Sequence, residues 1–203
     1  MAIRPRLATG MSYNPALHHR RSIRLPDYDY RQAGAYFVTL VTYGRDCLFG
    51  QIIEDEICLN VLGEIVEEEW RRTGEIRREI LMGSFIVMPN HVHGIIVIAS
   101  ARDCATAEGG ASTGAHSRAP LQPPAPQSPR LSRSLGSVVA GLKSAVTKRI
   151  NLTRGTPGLP VWQRNYYERV IRNEEEMNRL HQYIVGNPSL WKEDSENPAI
   201  GPS

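Results

Sequence analysis

His91 and His93 stand one residue apart near the middle of an apolar stretch that runs from Phe85 to Ile98. Side chains on a β-strand alternate between its two faces, so both imidazoles leave the same face and Val92 leaves the other. Two imidazoles side by side on a rigid strand are a sound beginning for a divalent-metal site. By themselves they equally suit a pair of buried histidines satisfied by hydrogen bonds. The surrounding elements decide between the two.

A second chemically capable residue lies ninety positions on. Tyr183 belongs to a helical pattern from Asn173 to Gly186, whose core stripe is Met177, Leu180 and Ile184. At about 100° per residue, Tyr183 falls about 100° to one side of that stripe. Asn187 follows it at i+4, and Glu176 shares the flank. Asn173 with Glu176 three residues on has the form of a capping box, Glu174 and Glu175 suit the positive end of a helix, and Gly186-Asn187-Pro188 reads as a stop. Tyr183 is either an edge-of-core residue with its hydroxyl tied to backbone or a phenol leaning onto the sheet. If it reaches the histidines, two neutral imidazoles and an oxygen ligand leave coordination positions open for a metal that polarises a phosphodiester. The phenol beside them can then attack phosphorus.

The elements that must position these residues follow from periodicity. Tyr36 to Tyr43 is a β-branched and aromatic strand, and a weaker extended piece follows at Leu48 to Ile53. Leu59 to Arg72 is an amphipathic helix, with Leu59, Leu62, Ile65, Val66 and Trp70 at helical spacing and Glu64, Glu67, Glu68 and Glu69 as a solvated face. Ile80 to Val87 and Val92 to Ile98 are two strands joined by a Pro-Asn turn. Leu135 to Ile150 is a helix whose stripe is Leu135, Val138, Val139, Leu142, Val146 and Ile150. Val161 to Ile171 reads as an irregular strand. The order strand, helix, two strands, helix, strand, helix predicts an α+β fold, a split β-α-β sandwich with helices on an antiparallel sheet.

Composition bounds the rest. The chain has 203 residues, an apolar fraction of 41% and a formal charge of only +3, which suits one domain with decorations. No apolar run approaches the 18 or so residues of a membrane span, and the N-terminal stretch carries arginines and prolines rather than an apolar h-region, which argues against secretion. Cys47, Cys58 and Cys104 lack metal-ligand spacing and suit a reducing, cytoplasmic compartment. Residues 1–34 read as a basic arm, 35–192 as the principal domain and 193–203 as a tail. Residues 100–132, rich in Ala, Gly, Ser and Pro, form an insertion that cannot bury a core. Charge is segregated: no acid occurs between Gly109 and Tyr167, where Arg130, Arg133, Lys143, Lys148, Arg149, Arg154 and Arg164 gather. Segregated basic stretches in a near-neutral chain point to a polyanion partner, and those seven cations are the candidate DNA contacts.

Met-Pro-Asn-His91-Val-His93, then the Val161 to Ile171 stretch, then Tyr183-Ile-Val-Gly-Asn187-Pro188 together resemble the single-tyrosine HUH transposases. The likeness is greatest to their REP-associated branch and spans about Tyr36 to Trp191. It implies a ferredoxin-like fold that binds single-stranded DNA beside hairpins and cleaves it with Mg²⁺ or Mn²⁺. By the resemblance, His91 and His93 are metal ligands, Tyr183 forms a 5′-phosphotyrosine link and Asn187 supplies the third ligand. Because the residue before a proline avoids helical geometry, Glu176 or a water is the alternative third ligand. Tyr166 and Tyr167 are reserve nucleophiles or packing and base-stacking residues. A non-cleaving hairpin-binding module and a small-molecule metal hydrolase are the rival expectations, and the chain is expected to act as a monomer or homodimer in a prokaryotic, nucleoid-associated setting.

Overall fold

A computed structural model describes residues 29–99, 134–194 and 196–200. The readings placed on residues 1–28 of the arm, on the whole 100–132 insertion and on Arg130 and Arg133 lie outside the described residues. Among the described residues there are six strands and three α-helices: β1 (Gly34–Val41), β2 (Gly50–Ile53), β3 (Glu56–Leu59), α1 (Val61–Ile76), β4 (Ile80–Val87), β5 (His91–Ile98), α2 (Leu135–Arg154), β6 (Tyr167–Ile171) and α3 (Glu174–Gly186). A four-stranded antiparallel sheet runs β4-β5-β1-β6, and β2-β3 is a separate hairpin. Helices α1 and α2 each connect two parallel strands across the antiparallel strand between them, which is the split β-α-β sandwich the sequence predicts.

The sheet has two unlike faces. Tyr36, Val38, Leu40, Val92 and Ile96 point to one and pack with Trp70 of α1 and with the α2 stripe, all six of whose predicted members are buried. Gly94 lies on this face because a Cβ there would stand 2.2 Å from the Trp70 ring. Phe37 and Ile95 point to the other face, which α3 covers through Ile184, Met177 and Leu180.

Several expectations need correction. The piece at Leu48 to Ile53 is half of a hairpin, which turns through Glu54 and Asp55 at φ 50° and 62°. Such turns usually announce themselves by Asn-Gly; here two acids hide the signal. The first helix begins at Val61, with Asn60 Oδ1 accepting from the Leu62 and Gly63 amides, and Leu59 belongs to β3. Its glutamate face is not wholly solvated: Glu69 is buried and bonded to Arg149 at 2.9 Å. Helix α2 continues to Arg154, where Gly155 caps it at φ 64°. Of the irregular strand, only Tyr167–Ile171 joins the sheet in full, while Trp162 makes a single bridge to Thr42. The chain does not stop at Gly186 either. It passes into a 3₁₀ helix, Asn187–Glu193, with Asn187 at φ −60°, ψ −37°. Pro188 fits at the start of that turn, where no amide donor is required.

Candidate active site

Strand register sets the site. On β1, Val41 pairs with His91 and Thr39 with His93 across β5, and Thr39 pairs with Tyr167 across β6. Val41, Thr39, Phe37, His91, His93, Tyr167 and Arg169 therefore share the face under α3. The imidazoles are 0% and 4% exposed, with ring centroids 4.4 Å apart.

Hydrogen bonds fix the orientation of His91. Asn90 Nδ2 donates to the carbonyls of Arg45 at 3.0 Å and Glu196 at 2.6 Å. Its Oδ1, an acceptor only, lies 2.9 Å from His91 Nδ1. That nitrogen must therefore carry the proton, which leaves Nε2 as a bare lone pair. Nε2 is buried with no hydrogen-bond partner and faces Asp194 Oδ2 at 3.8 Å. His93 Nδ1 lies 2.9 Å from Thr39 Oγ1, and its Nε2 lies 3.3 Å from the Tyr183 hydroxyl.

Both imidazoles are neutral at physiological pH. Burial lowers His91 to about 4, and the nearby Asn187 side chain opposes this to a smaller degree. Burial and then the neighbouring His91 lower His93 to about 3, with Asp194 opposing. The Tyr183 phenol is raised by burial and next by Asp194, while Asn187 acts the other way. Asn187 is itself buried beside these groups, and its Oδ1 makes no hydrogen bond of normal geometry.

Ligand atoms of His91, His93 and Asp194 all lie within 4.8 Å of one another. Two neutral imidazoles, a carboxylate and an unsatisfied amide oxygen make a donor set suited to a divalent cation. The orphaned Nε2 and Oδ1 are the polar atoms that such an ion would satisfy. Asp194 is the member that the sequence reading leaves in the tail. It follows the Asn187–Glu193 turn, where Trp191 lies against His91 and Glu196 is bound by Asn90 and Arg45. No local pattern marks it; the one signal is an acid soon after Asn187-Pro188. Glu176 stands apart from the cluster, bonded to the Arg172 amide and to Arg169.

A cleft of about 390 Å³ opens onto the set, walled by Phe37, Tyr167, Arg169, Tyr183 and Asp194. Tyr166, by contrast, packs on the main core under Lys143. Among the predicted DNA contacts, Lys143 donates to the Gln163 and Asn165 carbonyls, and burial lowers it to about 8. Arg149 is ion-paired with Glu68 and Glu69. Lys148, Arg154 and Arg164 are exposed and have no ion pair among the described residues.

No family model matches the chain. A protein of Haemophilus influenzae (strain ATCC 51907 / DSM 11121 / KW20 / Rd), described as uncharacterized, is 38% identical over 184 residues, 90% of this chain and 95% of that protein. Among solved structures, a REP-associated tyrosine transposase bound to a REP hairpin overlaps with a TM-score of 0.49 and 18% identity, over 81% of this chain and 73% of that one. A transposase-like protein of Deinococcus radiodurans R1 overlaps at 0.37 and 17%, over 80% of this chain and 95% of that one. At these scores the site's chemistry rests on its own residues.

Proposed function

The chain belongs to the same family as the uncharacterized Haemophilus influenzae protein, and we propose that it is a metal-dependent single-stranded DNA endonuclease and strand transferase of the single-tyrosine HUH type. The observation that carries this reading is the approach of the Tyr183 hydroxyl to within 3.3 Å of His93 Nε2, beside the orphaned His91 Nε2 and the Asp194 carboxylate. The resemblance of the three motifs, and the exposed cations of the acid-free stretch, support it.

In this reading His91, His93 and Asp194 hold Mg²⁺ or Mn²⁺, with Asn187 able to supply a fourth donor. The bound ion would polarise the phosphodiester and favour the phenolate. Tyr183 is positioned by α3 on a packed helix rather than a loop, which limits its travel and favours in-line approach. Its phenol oxygen forms a bond to phosphorus as the bond from phosphorus to O3′ breaks. The phenol proton leaves to solvent, and the released 3′ oxygen takes up a proton as a hydroxyl. A 5′-phosphotyrosine link conserves the energy of the diester for later transfer to another 3′ hydroxyl. His93, whose lone pair would be committed to the metal in this reading, is not the base that takes that proton. Lys148, Arg154 and Arg164 contribute to holding the hairpin-flanked strand.

Incubation with single-stranded hairpin DNA and Mn²⁺ tests the proposal. A covalent adduct that survives denaturation is expected from the native chain and none from Tyr183→Phe. Tight, salt-sensitive hairpin binding without an adduct in any divalent metal would replace it with the binding-module reading.

A further inference from the structure

Tyr167 and Arg169 are shared between two concavities. One is the His93–Tyr183 cleft. The other, about 590 Å³, is lined by Arg172, Arg179, Glu175 and Glu176. Register puts Arg169 opposite Phe37, one pleat along from the Tyr167–Thr39 pair and on the histidine face. Its Nη2 is held at 2.6 Å by Glu176 Oε1. Glu176 is itself buried, and its Oε2 accepts from the Arg172 amide at 3.0 Å. That amide, and then Arg169, keep the carboxyl below the usual range. A guanidinium has five donors. One is committed to Glu176, and no acceptor among the described residues takes the others. The side chain is half-exposed at the cleft.

We propose that Arg169 contacts the non-bridging oxygens of the phosphodiester presented to Tyr183, with Glu176 as the positioning residue that aims its fork. This rests on the cleft being the DNA-cleaving site. A guanidinium held by a buried carboxylate is already oriented, so binding an anion costs little further side-chain freedom. Arg179 also approaches Glu176, at 4.0 Å, but it is not in the cleft wall and serves as the matched control. Glu176 thus has a role distinct from the metal ligation considered for it.

Two readouts separate this inference from the tyrosine chemistry: the single-turnover rate of adduct formation on a hairpin oligonucleotide, and the salt dependence of binding to single-stranded oligothymidylate. Arg169→Ala should slow adduct formation roughly a hundredfold and reduce the slope of log affinity against log salt by about 0.7. Mn²⁺ affinity should stay near its native value, while the loss of Glu176's partner lowers thermal stability without unfolding the chain at the assay temperature. Arg169→Lys, which keeps the charge and the fold, should retain the slope yet lose much of the rate, because the fork is gone. Glu176→Gln should show a smaller rate loss in the same direction, and Arg179→Ala none. Native rate and slope in Arg169→Ala would overturn the assignment and leave the tyrosine chemistry standing. If the native chain forms no adduct, the cleavage reading falls instead, and an undiminished slope in Arg169→Ala would then overturn the phosphate contact as well.

Discussion

The two faces of one sheet do different work with neighbouring residues of the same strands. On the α1/α2 face, Val92 and Gly94 meet Trp70 and the α2 stripe in an apolar layer, and at Gly94 a methyl group has no room. One residue away on β5, His91 and His93 turn buried polar atoms towards Asp194 and Tyr183, and two acceptors there lack partners. The first face is held by apolar packing. The second presents unpaired acceptors suited to a cation. A rigid, close-packed layer under a polar one keeps the imidazoles in place without using their nitrogens.

The contrast predicts that damage on the two faces separates into stability and chemistry. Trp70→Ala should cost about 3–5 kcal/mol in denaturant unfolding, while the fraction still folded binds Mn²⁺ normally. His91→Ala should do the reverse. Mn²⁺ affinity, measured calorimetrically, falls roughly a hundredfold, and metal-free stability falls by about 1–3 kcal/mol, less than for Trp70→Ala, because the Nδ1–H bond to Asn90 is lost along with the orphaned acceptor. If His91→Ala is instead as destabilising as Trp70→Ala, the faces are not distinct in this way.

Acid sharpens the comparison. The unfolded histidines take up protons as pH falls below 6.5, whereas the folded His91 and His93 resist until about 4 and about 3. The folded state therefore binds fewer protons in that window. Stability contributed above pH 6.5 is lost as pH descends through it, at up to about 1.4 kcal/mol per unit for each histidine. His91→Ala should flatten the descent in urea midpoints measured across this range. The smallest effect is expected for Asn90→Ala, which frees the His91 tautomer and the tether to Glu196 while leaving the ligands present. Mn²⁺ affinity should fall roughly tenfold.

Much of this was legible before any coordinates. Period-two alternation put His91 and His93 on one face, and the 3.6-residue stripe of α2 was read in full because its six apolar residues all meet one core. Tyr183 was legible as a flank residue, but its reach was not, since that depends on how α3 lies across β1 and β5. Asp194 was hidden for a different reason. Its position is decided by Asn90, some hundred residues earlier in the chain, holding the Glu196 carbonyl, a contact that leaves no periodic trace. Hairpin β2-β3 escaped notice because Glu54 and Asp55 adopt positive φ without glycine or asparagine to signal it. Glu69 belongs by pattern to a solvated face and Arg149 to the basic stretch of candidate DNA contacts, whereas the packing of α1 against α2 joins them as an ion pair.

The account depends on a cation gripped by the α3-side face. Pulsed electron paramagnetic resonance of Mn²⁺ added to the native chain reads this directly through nitrogen couplings. Couplings from both imidazoles are expected, with one lost in His91→Ala and one in His93→Ala. A Mn²⁺ signal with only water and carboxylate ligands, unchanged by either substitution, would contradict it.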